Sequence, residues 1–250
     1  MCCFSGAVKD VGSTKIFARF LDAVNQCVIY EMTMSADEDV AMILPIPVVQ
    51  PADEKAVKFH DLSRYPGFFD DLEKAFPIPR SFGGDGPVAA GRLEVQKVGA
   101  FDASFVPTIA DFKRLDARFR LDDAVWKSLP QYEKFGFAVF KLRKGEKQKV
   151  HPMAFQFPSA TPNRIFFPTV HIHDGQVHET EEFDHTLYAQ AWNNAVIKGT
   201  DWEESPKIVG RNVNHNLTGD LVWGAGHVYK KNIRGSAKNE DILAVARKLG

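Results

Sequence analysis

Five of the eight histidines in this 250-residue chain fall between positions 151 and 185, and imidazole is both a metal ligand and a proton carrier near neutral pH. Phe166 to His173 alternates toward Asp174-Gly175, the dipeptide that most strongly signals a two-residue hairpin turn. With that turn, His173 pairs with Gln176, Ile172 with Val177 and His171 with His178. Residues two apart on a strand, or directly opposite across a ladder, share a face. The pattern therefore predicts His171, His173 and His178 on one side, with Val170, Ile172 and Val177 on the other. Three imidazoles about 5–6 Å apart would begin a copper, zinc or iron site. His151, Asp184 and His185 could complete it or orient its ligands. The same amphipathic hairpin could equally turn its histidines to water, or use them for proton transfer without a metal.

Met1-Cys2-Cys3 offers a second chemistry. Removal of Met1 would leave Cys2 with a free α-amine. Amine and thiolate together chelate soft ions such as Cu(I) or Zn, with Cys3 adding a second sulfur. Alternatively the amine serves as base for the Cys2 thiol and makes it a nucleophile. The bland alternative is that Cys2 and Cys3 are small apolar residues starting a buried strand.

The opening resembles the N-terminal-nucleophile amidohydrolases of the penicillin V acylase and bile-salt hydrolase group. They too begin Met-Cys and return on an aromatic strand ending in Arg-x-Leu-Asp, here Arg19-Phe20-Leu21-Asp22. The resemblance implies Cys2 as nucleophile, with Arg19 and Asp22 positioning its amine and thiol. It covers about 22 residues, and Phe20 stands where that family has Asn. A second resemblance joins Cys2-Cys3-Phe4-Ser5, Ile16 to Arg19, Val28 to Met32, Ala41 to Pro47 and Phe166 to Gly175. These segments are similar to an uncharacterised bacterial family whose domain has no known function, and the likeness implies no activity.

The elements that must position these residues are mostly strands. Thr14–Leu21, Gln26–Met34 and Val40–Val49 are rich in β-branched and aromatic residues, and Pro45 and Pro47 predict a sheet edge for the third. Pro66 to Phe76 predicts a short helix with Phe68, Phe69, Leu72 and Phe76 along one side. Residues 77–92, which include Gly83-Gly84-Asp85-Gly86, predict a loop. Thr108 starts a second helix, with Asp111 placed to return a capping bond and Ile109, Phe112, Leu115 and Phe119 as its apolar stripe. Asp122 to Leu129 predicts a third. Strands are then expected at 136–142, 150–157, 164–173, 176–183 and 219–230, and an amphipathic helix at Asn239–Leu249. The remaining histidines, His60, His215 and His227, read as isolated. Trp192, Trp202 and Trp223 read as core residues that could line a pocket.

These elements predict an α+β fold, a strand-rich and largely antiparallel single domain over residues 1–250 with a few short helices. Apolar residues make up 44% and charged residues 25%, the balance of a globular protein with a substantial core. A net charge of −1 gives no basic face for nucleic acid or an anionic membrane. No apolar run approaches the roughly 18–20 residues of a membrane span. Three cysteines and no leader pattern predict a reduced, cytoplasmic protein. Together these features predict a metal-binding protein carrying a copper or zinc ion and meeting a small-molecule or metal ligand. The competing readings are an amidohydrolase and a non-catalytic binding module. Oligomeric state is not legible.

Overall fold

The computed structural model describes residues 3–76, 102–191, 195–199 and 201–248. Within them the strands are β1 (Cys3–Phe4), β2 (Asp10–Phe20), β3 (Asn25–Ala36), β4 (Val40–Ile46), β5 (Lys58–Asp61), β6 (Asp102–Val106) and β7 (Gly136–Leu142). They continue as β8 (Gly145–Pro158), β9 (Arg164–Phe167), β10 (Thr180–Gln190), β11 (Ala195–Lys198), β12 (Glu203–Glu204), β13 (Tyr229–Lys238) and β14 (Ile242–Lys248). Three short helices accompany them, α1 (Phe68–Glu73), α2 (Asp123–Lys127) and α3 (His215–Thr218), with several 3-10 turns. The strand-rich, largely antiparallel reading with few short helices describes this architecture.

A seven-stranded sheet runs β12-β13-β10-β2-β3-β8-β5, a four-stranded sheet runs β1-β4-β7-β6, and a three-stranded one runs β11-β14-β9. Every pairing is antiparallel except β2 with β10. The near-continuous apolar runs of β2, β3 and β4 follow from burial on both faces. Successive side chains alternate across a strand. Ile16, Ala18, Val28 and Tyr30 meet Met42, Leu44 and Ile46 between the two larger sheets. Phe17, Cys27 and Ile29 point the other way, onto Phe68, Phe69 and Leu72 of α1. Ala41 and Ile43 face a third layer built from Phe112, Trp126 and Phe137. Pro45 sits beyond the two-residue β1, so β4 has only β7 beside it there, and the missing N–H costs no ladder bond.

Four expectations change. The turn after Thr108 is a 3-10 helix over Ile109–Arg114, and the Thr108 hydroxyl donates to the Asp111 carboxylate at 2.7 Å without a side-chain bond to the helix N-terminus. Residues 219–230 hold a 3-10 turn (Gly219–Leu221) and a loop, and the strand starts only at Tyr229. The C-terminal segment is strand β14, not a helix. Its apolar residues fit both periods, and pairing with β9 and β11 selects the strand. Ile242, Ala244 and Ala246 pack inward while Leu243 and Val245 are exposed.

The fourth change is the hairpin. Strand β9 stops at Phe167 and β10 starts at Thr180, and these two strands do not pair with each other. Asp174 and Gly175 do turn, with Gly175 at φ 77° and the Asp174 carboxylate accepting from the Gln176 amide at 3.0 Å. The ladder beyond the turn is replaced by one side chain. Asn239 accepts from the His171 amide at 2.7 Å and donates to the carbonyls of His171 and His178, both at 3.0 Å. On its other side the segment meets β1, where Cys3 bridges Ile172 in parallel and the Phe4 amide donates to the Ile172 carbonyl at 3.1 Å.

Candidate functional site

Losing the hairpin changes which histidines meet. β10 carries His185 inward, and the Asn239 clamp holds His171 against it. Both are fully buried, with their Nε2 atoms 3.3 Å apart. Their rings stack with centroids 4.9 Å apart and 26° between planes. Phe183 lies 4.2 Å from the His171 ring and His173 lies 5.3 Å from it. Phe4 of β1 reaches His173 at 6.0 Å. His171, His173 and His185 are therefore brought together. His178 is not: it is exposed and paired with Asp174 at 3.0 Å, which raises its pKa through that hydrogen bond and charge.

The cluster's electrostatics follow from burial. Removing an imidazolium from water disfavours its charge, so His171 and His185 are driven far below the usual histidine range, and His173 is lowered to about 4. A 3.3 Å contact between two Nε2 atoms needs a proton on one and a lone pair on the other. The pair is thus a neutral donor–acceptor couple. The His171 Nδ1 finds no hydrogen-bond partner among the described residues. Arg234 straps the back of β10, donating to the His185 carbonyl and to the Thr186 hydroxyl.

His151 belongs elsewhere. It lies on β8, three strands from β10 in the sheet order, or ~14 Å at the usual strand spacing. Its Nδ1 is 3.2 Å from the Pro152 carbonyl oxygen, and it lines a small cavity of about 220 Å³ with His60 and Asp61. Cys3 is buried in β1, with its backbone beside the histidine segment. Cys2, and the metal and nucleophile roles read for it, lie outside the described residues, as do Gly83 to Gly86 and Trp192. Trp202 packs on Phe167 with centroids 5.8 Å apart, and Trp223 is partly exposed.

The metal expectation does not survive this geometry. Among the described residues no group of three His, Cys, Asp or Glu side chains is placed to hold an ion. His178 is turned away, His151 is on another part of the sheet, and the buried pair spends its Nε2 atoms on each other. A copper- or zinc-binding protein is therefore corrected. The amidohydrolase roles fare no better. Arg19 is buried, donating to the backbone carbonyls of Phe20 and Asp220 at 3.1 and 3.2 Å. Asp22 caps the β2–β3 turn, accepting from the Val24 and Asn25 amides at 2.8 and 2.6 Å and from the Asn25 side chain at 2.8 Å. Both are structural residues of one hairpin. Not foreseen from the sequence is an open cavity of about 850 Å³ beside α2, whose lining includes Ile109 and Phe112, two residues read as part of an apolar stripe.

No family model matches the chain, and no curated protein does. Solved structures do. The chain is similar to the crystal structure of baculovirus P35, at 13% identity over 99% of this chain and 100% of that one, with a TM-score of 0.59. P35 in its complex with caspase-8 matches at 12% identity over 94% of this chain and 96% of that one, with a TM-score of 0.47. A mutated P35 after caspase cleavage matches at 14% identity, covering 95% and 98%, with a TM-score of 0.46. The first likeness shows the fold: the chain shares that of P35. No helix among the described residues is long and apolar enough to cross a membrane.

Proposed function

We propose that this chain is a protein-binding module whose partner is a peptidase of the caspase class. The observation that carries the reading is the likeness to P35 along the whole length of both chains, at a TM-score of 0.59. P35 is a protein solved in complex with caspase-8, which gives the partner class. A fold hosts many functions, so the partner is an analogy, and the chain's own features support its non-catalytic part. Its His171–His185 pair is buried and neutral, a packing unit. A protein partner also replaces the small-molecule or metal ligand expected from the sequence.

Active caspase-8 titrated with the purified chain tests this directly. Hydrolysis of a fluorogenic peptide should fall in proportion to added chain, and the two proteins should co-elute in gel filtration. Full peptidase activity at a large molar excess of the chain, with separate elution, would sink the reading.

A further inference from the structure

The layer outside β4 and β7 is made of short turns, and these leave an open cavity of about 850 Å³. That is within the size range of sites that bind organic groups. Its floor is apolar: Phe112 and Trp126 stack with centroids 5.1 Å apart and 29° between planes, with Ile109 and Leu121 beside them. The floor is rigid because both rings also pack on Phe137, at 5.0 and 4.8 Å.

The rim is charged in a particular way. Arg120 donates from Nε and Nη2 to the Leu115 carbonyl and from Nη2 to the Lys113 carbonyl at 2.7 Å. Those bonds pin its guanidinium against the 113–115 backbone, and Lys113 and Lys127 add two further positive charges to the rim. Neighbouring arginines are neutralised, Arg114 by Glu54 and Asp111, and Arg118 by Asp116. Among the described residues Lys113, Arg120 and Lys127 make no direct salt bridge, and Asp116 feels the Arg120 charge only from further off than it does Arg118. Asp123 and Glu133 are the acidic residues of the lining, so the cations outnumber the carboxylates.

An aromatic floor under a rim with a surplus of cations suits one kind of occupant. The geometry points to a docking groove for a partner segment that presents a bulky apolar side chain flanked by carboxylates. The apolar side chain covers Phe112 and Trp126, and a carboxylate takes the hydrogen-bonding capacity left on Arg120 and the ammonium of Lys113, a charge-assisted contact. This goes beyond the proposed function, sharing with it only the premise that the chain meets a protein. It does not depend on which protein that is.

Fluorescence anisotropy with a labelled peptide Ser-Glu-Trp-Leu-Glu-Ser tests the groove without any caspase, so its failure and the failure of caspase inhibition are separate results. Saturable binding is expected, weakened by replacing the peptide's Glu with Lys or its Trp with Ala. Lys113→Glu should weaken binding about tenfold, equivalent to about 1.4 kcal/mol. Ala110→Trp, at an exposed position of the lining, should abolish it by filling the groove. Both changes are at exposed residues and leave the core intact. The proposal is overturned by no saturable binding, by equal binding of the Lys-substituted peptide, or by binding that Ala110→Trp leaves unchanged.

Discussion

His185, stacked on His171, and Glu31 are titratable groups carried into the interior by strands of one sheet, yet they are handled differently. The histidines meet each other, Phe183 and His173, and among the described residues the one carboxylate near them, Asp184, stands 3.8 Å from the His185 Nδ1. Glu31 has a side chain only 3% exposed, and its Oε1 is held by Lys149 at 3.4 Å and Lys15 at 3.7 Å. Both lysines also reach Asp70, at 3.8 and 3.4 Å. Burial raises the Glu31 pKa against the pull of the two ammonium groups. An imidazole can be neutral at pH 7 by shedding a proton it barely holds, so burying it makes an aromatic packing unit. A carboxylate, ionised at neutral pH in water, must either take up a proton or keep donors or cations at its boundary, and Glu31 keeps two lysines there. The partner set, more than the residue type, decides whether a buried group is packing or electrostatics.

If the pair is packing, truncating it should cost what a core ring costs. His185→Ala removes the stack on His171 and Phe183 and should destabilise the chain by about 3 kcal/mol, read from the midpoint of urea unfolding. A loss below ~1 kcal/mol would mean that the site collapses around the missing ring, and the comparison breaks.

The next largest effect is pH. A histidine whose folded pKa is depressed contributes stability that is present above its unfolded pKa of about 6.5 and is lost as pH falls. His171, His185 and His173 act in this direction. Asp241 opposes them. Its carboxylate accepts from the Tyr132 hydroxyl at 2.6 Å and from the Thr169 and Val170 amides at 2.8 and 3.2 Å, and burial raises it to about 6. A raised carboxylate gains stability as pH falls, and Glu31 has the same sign. Between pH 6.5 and 5 the fully buried pair, His171 and His185, costs about 3 kcal/mol and Asp241 returns about 1, a net loss of about 2 kcal/mol from these three groups, to which His173 adds. In the variant His171→Leu/His185→Leu the slope should shrink or reverse over the same window. An unchanged slope would mean that these imidazoles are not the source.

How much of this was legible follows from where the information sits. The β2–β3 hairpin, β4, β7 and α1 were readable because their apolar patterns are local and belong to single elements. That five histidines crowd into 35 residues was plain, but which of them meet was not. Phe166 to His173 carries a real strand pattern and Asp174-Gly175 is a real turn. What cancels the hairpin is Asn239, some 60 residues away, whose one amide bonds both arms. From the sequence His185 completes the site or orients its ligands, and a strand pairing with β2 and β13 sends it straight to His171. The chemistry expected of Arg19 and Asp22 comes from the resemblance of Arg19-Phe20-Leu21-Asp22 to an amidohydrolase motif. Their roles are set by backbone carbonyls and amides that no spacing announces. The groove beside α2 escaped for the converse reason. Phe112, Trp126 and Lys113 are ordinary core and surface residues until four short turns pack side by side.

Glu31 supplies the smaller tests. Glu31→Leu exchanges a buried ion for an apolar group of similar volume, and stability at pH 7 should move by no more than about 1 kcal/mol in either direction. A loss of ~3 kcal/mol or more would show the carboxylate to be as costly to remove as the histidine ring.

The smallest effect comes from removing one cation and leaving the carboxylate. Lys149 is closer to Oε1 than Lys15, and the two are 36% and 27% exposed at the side chain, so water screens both and each pair is worth no more than about 1 kcal/mol. Lys149→Met should therefore barely shift the unfolding midpoint, yet it should move the Glu31 titration further up, because desolvation then works against one ammonium instead of two. Lys15→Met should do the same to a lesser degree. Carbon-detected NMR titration of the Glu31 carboxyl reads this directly. A Glu31 pKa that stays in place in both variants would mean that the lysines are bystanders, and that the carboxylate, like the imidazoles, is held by packing alone.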